Sequence, residues 1–172
     1  MHQNVPSLLA QSELFDNLSE TQLKLVAAIC ELKVLPKGHL LIEENDTTDD
    51  LFIIASGAVE ILMDPSFVSY VPPDSTESHE SVVLTELRQG QVIGEVALVD
   101  QGIRSATVRV SQNDTQLLRI QRERLMYLCD TYPELGYKIM KNIAADLAFK
   151  IRNTDLTVRE LQLMLYQSKK NI

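Results

Sequence analysis

The sequence predicts a mainly β fold: an antiparallel β-roll or jelly-roll barrel with flanking N-terminal helices and one long C-terminal dimerisation helix. Three observations carry this. From about Leu32 to Gln121 the apolar residues fall in short β-type runs separated by turn residues. These runs recur at intervals of about 8–12 residues without helices between most of them, which favours antiparallel closure over an α/β sheet. On both sides of this region the apolar period becomes helical.

Taken in order, apolar residues keep helical spacing from Leu14 to Ile29, and Ser19-Glu20-Thr21-Gln22 has the form of a capping box. A helix is therefore expected from there through Cys30. Strands are expected at 40–43, 51–55, 58–63, 81–87, 105–110 and 116–120. Pro36-Lys37-Gly38, Ser56-Gly57, Gln89-Gly90 and Ser111-Gln112-Asn113-Asp114 supply the turns. The stretch 64–80 carries Pro65, Pro72 and Pro73 and is too long and polar for a tight hairpin, so it reads as an exposed loop.

After Ile120 the helical period returns over Arg122–Cys129, breaks at Tyr132-Pro133 and resumes from about Glu134. Met140, Ala144, Leu147, Ile151, Thr154, Val158, Leu161 and Leu165 follow at alternating spacings of 4 and 3. A lone helix drifts at 3.6 residues per turn, whereas this register keeps one seam, which predicts a parallel two-stranded coiled coil and a homodimer. The chain then divides into a β-roll over 1–133, with its N-terminal helices and short hinge helix, and a coiled-coil helix over 134–172.

The 172 residues make about one domain plus an extension, and 45% apolar content is enough for a core. Sixteen Lys and Arg against twenty-four Asp and Glu give a net charge of −8. Such a chain repels DNA, RNA and anionic membrane faces, so neither a nucleic-acid nor a membrane partner is expected. Apolar runs such as Leu25–Cys30 are far too short to span a bilayer, and the N-terminus lacks a secretory pattern. Cys30 and Cys129 sit within apolar helical patterns and read as buried small hydrophobes in a reduced, cytoplasmic compartment. There is no phosphate loop and no nucleophile elbow; His2, His39 and His79 are scattered. No enzyme activity, metal or cofactor is expected.

The stretch that carries chemistry runs from Val92 to Val108. Gly94 ends a strand and permits a tight turn, and Glu95–Val99 then forms about one helical turn whose free N–H groups suit an anion. Arg104, nine residues after Glu95, opens the next strand and offers a planar fork of donors near the same point. A phosphate diester would receive both. Glu95 would repel that phosphate and suits a neighbouring hydroxyl donor such as a ribose 2′-OH.

At these residues the sequence resembles the cyclic nucleotide-binding domain family. Gly94-Glu95-Val96-Ala97-Leu98 and Arg104-Ser105-Ala106-Thr107 match the two halves of its phosphate-binding cassette. The likeness extends over roughly 12–155, through Glu13-Leu14-Phe15, the Gly38 turn, Asp50–Gly57 and Leu87-Arg88-Gln89-Gly90. Ile93 stands where an aromatic residue is common, and Ile103 where a proline is frequent; neither departure removes a ligand group. The resemblance implies that Glu95 holds the ribose 2′-OH and Arg104 the cyclic phosphate. Ser105 and the backbone around Gly94, Val96, Ala97 and Ala106 would make the remaining phosphate contacts, with Leu84 and Leu87 near the purine. Lys150, Ile151 and Thr154 of the long helix would meet the base from one or both chains.

The function expected is a stand-alone sensor of a cyclic purine mononucleotide, cAMP first and cGMP second, relaying binding through its C-terminal helix to an unidentified protein partner. Transcription regulators of this family carry a helix-turn-helix after the long helix, and the sequence stops at Ile172. The alternatives are a coiled-coil interaction module with a vestigial pocket, and the sensor part of a longer regulator.

Overall fold

The computed structural model describes residues 4–63 and 81–170; the proline-bearing stretch 64–80, His2 and His79 lie outside them. The chain enters through α1 (Val5–Leu9), a 3₁₀ turn (Glu13–Phe15) and α2 (Glu20–Ala27). The capping box forms as read: Gln22 N donates to Ser19 Oγ at 3.2 Å, and Ser19 N donates to Gln22 Oε1 at 2.9 Å. Two of the four donors left over at the helix start are thereby satisfied.

Helix α2 ends at Ala27, earlier than its apolar period predicts, and Cys30 opens strand β1 (Cys30–Leu35). The cause is tertiary. All six residues of β1 pair with β8 (Thr115–Ile120), from Cys30↔Ile120 to Leu35↔Thr115. Six strand pairings outweigh a marginal helical period.

The remaining strands are β2 (Leu40–Ile42), β3 (Leu51–Ser56), β4 (Ala58–Met63), β5 (Val82–Arg88), β6 (Val92–Ile93) and β7 (Thr107–Val110). They form two four-stranded antiparallel sheets, in the orders β1-β8-β3-β6 and β2-β7-β4-β5. A six-residue helix, α3 (Glu95–Asp100), interrupts the roll between β6 and β7.

Strand β3 explains why its sequence reads as one apolar run. Leu51, Ile53 and Ala55 face a core shared with the helices, while Phe52 and Ile54 face a second core inside the roll with Val59, Val108 and Leu117. A strand covered on both faces has no polar side to show. The helical core takes in Leu9, Phe15 and Val26, together with Leu125 of α4 (Arg122–Thr131) and Leu135, Ile139 and Ile143 of α5 (Pro133–Lys170).

Helix α5 has 38 residues, about 57 Å at 1.5 Å per residue. Its first turns are seated in the roll, where Asn142 Nδ2 donates to the carbonyls of Leu14 and Asp16, both at 3.0 Å. Met140 and Leu147, expected in an intermolecular seam, are half-buried against the chain's own core. From Ile151 to Lys170 every residue is exposed, including Ile151, Val158, Leu161 and Leu165. The 4–3 pattern therefore serves two purposes: its start packs within the chain, and its remainder leaves the domain uncovered. Helices α4 and α5 pack tightly at Gly136, where a Cβ would lie 2.8 Å from Cys129 O and 2.9 Å from its Cβ.

Cys30 is half-buried and its thiol donates to Val26 O at 3.3 Å; burial pushes its pKa up to about 12. Cys129 is buried, with its pKa pushed up to about 11 by burial and then by Asp130. Both thiols are free and neutral, which makes them poor nucleophiles. Among the described residues there is no cluster of metal-ligating side chains, and no helix long and apolar enough to cross a membrane.

Candidate functional site

The site is built where β6 ends. Gly94 takes φ +90°, ψ 12°, a left-handed conformation that a side chain would strain. A Cβ there would also lie 2.5 Å from Arg104 Nη1 and 2.6 Å from Asp50 O, so only glycine lets the chain turn against the arginine. The first turn of α3 follows at once, and its N–H groups have no acceptor within the helix.

Arg104 is 3% exposed. Its backbone is pinned at both ends: Arg104 N donates to Asp46 O at 2.8 Å, and Asn45 N donates to Arg104 O at 2.9 Å. In its side chain Nε donates to Thr48 Oγ1 at 3.1 Å and Nη2 to Asp50 O at 2.7 Å. Nη1 is buried against Gly94 with no partner among the described residues. Burial lowers the pKa of the guanidinium, against the pull of Asp50, Asp49, Asp46 and Glu95, and arginine still stays charged. A buried cation with a free nitrogen beside a helix start is chemically fitted to an anion.

Glu95, 7% exposed, forms no salt bridge with Arg104 among the described residues. Its Oε1 accepts from Lys150 Nζ of α5 at 2.6 Å. Lys150 also reaches Asp146 Oδ2 at 2.9 Å, one helical turn earlier. Burial works against the charge on Lys150, but the hydrogen bonds it donates to Asp146 and Glu95 outweigh it and raise its pKa. The long helix is thus tied to the turn by an ion pair spanning 55 residues of sequence. A second tie runs from Arg122 Nε at the start of α4 to Leu98 O of α3, at 2.9 Å.

These groups line a cleft of about 940 Å³. Gly94, Glu95, Val96, Ala97, Arg104, Ser105, Ala106 and Leu87 all border it, and Lys150 and Thr154 close it from the helix side. Leu84 and Ile151 do not. Leu84 is three residues from Leu87 on a strand and so faces the other way, 55% exposed. Ile151 lies about 100° round the helix from Lys150 and is 62% exposed. The reading of the sequence misses Ile61, Thr85, Phe149 and Asn153. Period two from Leu87 points to Thr85, and α-helical spacing about Lys150 and Thr154 points to Asp146, Phe149 and Asn153. A hydrophobic wall, a buried guanidinium with one nitrogen unpartnered among the described residues, and a buried carboxylate share this one cleft. Together they suit a small ligand that is anionic at one end, hydroxylated in the middle and apolar at the other.

Comparison with known proteins shows what the chain resembles. The family model described as "Cyclic nucleotide-binding domain" matches residues 32–132. The chain is 29% identical over 160 residues to the "Cyclic AMP receptor protein" of Thermus thermophilus, covering 93% of this chain and 65% of that protein. It is 30% identical over 142 residues to human "cGMP-dependent protein kinase 2", covering 82% of this chain and 17% of the kinase. The chain therefore spans less than two thirds of either relative. The solved structure of the Thermus thermophilus catabolite activator protein superposes with a TM-score of 0.70 at 27% identity, covering 88% of this chain and 63% of that one.

Proposed function

The chain belongs to the cyclic nucleotide-binding domain family, and from that premise we propose that its cleft binds a cyclic purine mononucleotide, cAMP first and cGMP second. The observation that carries this reading is Arg104 Nη1, a buried cationic donor with no partner among the described residues, placed beside the first turn of α3. A cyclic phosphate supplies the missing acceptor and takes the N–H groups of Val96 and Ala97. The ribose 2′-OH donates to Glu95, whose charge Lys150 already balances. Leu87, Ile61 and Phe149 offer apolar surface to the purine, with Thr154 and Asn153 at its edge. Both cAMP and cGMP appear in the names of relatives, and cAMP is put first because the receptor protein named for it is covered over more of its length than the kinase named for cGMP.

The protein acts in this reading as a binding module rather than an enzyme. Its ligand tightens α5 through Lys150, and the exposed apolar residues of α5 from Ile151 to Leu165 pair with a second copy. The helix thereby carries the occupied state to a protein partner. The roll over 1–133 senses and the helix over 134–172 transmits, although its first turns are shared with the core.

Titration of the protein with cAMP, cGMP and 2′-deoxy-cAMP, followed by thermal shift and calorimetry, tests the reading. A ligand at 100 times its Kd stabilises by about 2.7 kcal/mol. Binding of at least one cyclic nucleotide, with the 2′-deoxy analogue weaker, is the expected result. No shift with any of them overturns it.

A further inference from the structure

Asp46, Asp49, Asp50 and Glu95 all act on the charge of Arg104, with Asp50 foremost, yet none of them forms a salt bridge with it among the described residues. A buried guanidinium left beside carboxylates would ordinarily be closed by one of them in a charge-assisted pair. Asp50 is placed for this, because its own carbonyl already accepts from Arg104 Nη2 at 2.7 Å. Its carboxylate is held elsewhere.

The holder is Arg119. Its Nε donates to Asp50 Oδ2 at 2.8 Å, and its Nη2 lies 2.8 Å from the same oxygen. Its Nη1 donates to Glu31 Oε2 at 3.1 Å. Arg119 lies in β8, where the register sets it opposite Phe52 of β3 on one side and Glu31 of β1 on the other. Two neighbouring strands therefore fix its direction. Asp50 precedes β3 by one residue, so its main chain turns toward Arg104 while its side chain turns toward Arg119. The hydrogen bond to Asp50 is the main cause of a raised pKa for Arg119, the sign expected of a settled pair.

The geometry points to Arg119 as a positioning residue for the anion site: by holding the Asp50 carboxylate it keeps Arg104 Nη1 open to a ligand phosphate. This rests on the nucleotide reading above and names a residue outside the cleft that regulates it. Without Arg119, the Asp50 carboxylate is an internal anion tethered beside Nη1, and it competes with the ligand at a local concentration of millimolar order or higher.

The test is a double-mutant cycle read by cAMP calorimetry on the full chain, using wild type, Arg119→Met, Asp50→Asn and the double variant. Arg119→Met is expected to weaken cAMP binding by roughly 2- to 150-fold, the span for residues sharing one charge network. In the Asp50→Asn background, the same change is expected to cost no more than about twofold, since no carboxylate remains to be released. A merely structural role for Arg119 would instead give the same loss in both backgrounds. Should Arg119→Met fail to fold by thermal melt, Arg119→Leu, which likewise leaves no donor for Asp50, takes its place in the cycle. Unchanged affinity on loss of Arg119, or equal losses in both backgrounds, overturns the assignment while leaving the nucleotide reading intact. Absence of cAMP and cGMP binding by the wild-type protein overturns both.

Discussion

Replacing Arg104 by methionine separates the function of the guanidinium from its place in the fold. The substitution keeps an apolar stem of similar length and removes the bonds to Thr48 Oγ1 and Asp50 O. Hydrogen bonds made by charged groups contribute about 1.5–3 kcal/mol each. Against that loss stands relief from burying a cation that is 3% exposed and has one nitrogen unpartnered, a desolvation cost of several kcal/mol. The two nearly cancel, and the backbone bonds to Asn45 and Asp46 remain. The ligand-free melting temperature should therefore move by less than about 5 °C, at about 2–4 °C per kcal/mol for a chain of this size.

Ligand binding has no such compensation. Loss of one member of a buried charge pair costs about 2–5 kcal/mol, or roughly 30- to 4000-fold in affinity. At a cAMP concentration 100 times the wild-type Kd, the stabilisation of about 2.7 kcal/mol should fall below about 0.9 kcal/mol in the variant. Differential scanning fluorimetry reads both quantities, with calorimetry for the affinity. A variant that keeps the wild-type ligand shift would show that no phosphate sits on Arg104. A ligand-free variant that unfolds would show that the guanidinium is a structural cation and not a held-open donor.

Four further outcomes are expected. Lys150→Met should speed amide exchange in α5 around residues 146–154 without ligand, and the effect should shrink in a Glu95→Gln background, since the pair at 2.6 Å would already be weakened; equal effects in both backgrounds would refute the tie. Because the folded-state pKa of Lys150 is raised, its contribution to stability is present below the ordinary 10.5 and is lost as pH rises through the higher folded value, so denaturation should show no dependence on this pair near neutrality and a decline only in strong alkali. The double change Val158→Asp with Leu161→Asp should give a folded monomer by light scattering, since both residues are exposed in the single chain, whereas a persisting dimer would place the interface elsewhere. Gly136→Ala should destabilise by about 1–3 kcal/mol in chemical denaturation, because the added methyl would lie 2.8 Å from a backbone oxygen of α4; a neutral result would mean the α4–α5 corner yields freely.

The sequence alone determines what depends on neighbours along the chain. The capping box at Ser19–Gln22, the β4 run Ala58–Met63, the break at Tyr132-Pro133 and the tight turn at Gly94 each follow from periodicity or turn chemistry over a few residues, and the structure has them all. The likeness that pairs Gly94-Glu95 with Arg104 is equally local, spanning eleven residues between two β-strands. What faces what is decided only when distant segments meet. Cys30 lies in a strand because β8, some 90 residues on, is there to pair with it. Leu84 turns outward and Thr85 inward because pairing of β4 with β5 sets which side of the strand meets the cleft. Met140 and Leu147 lean on the core although their heptad spacing suits a partner helix equally well, and only the seating of Leu135, Ile139 and Ile143 chooses between them. The contacts of Lys150 with Glu95 and of Arg119 with Asp50 cross 55 and 69 residues and leave no period in the sequence, because a charge on a surface-patterned strand or helix has many admissible partners until closure of the roll leaves it one.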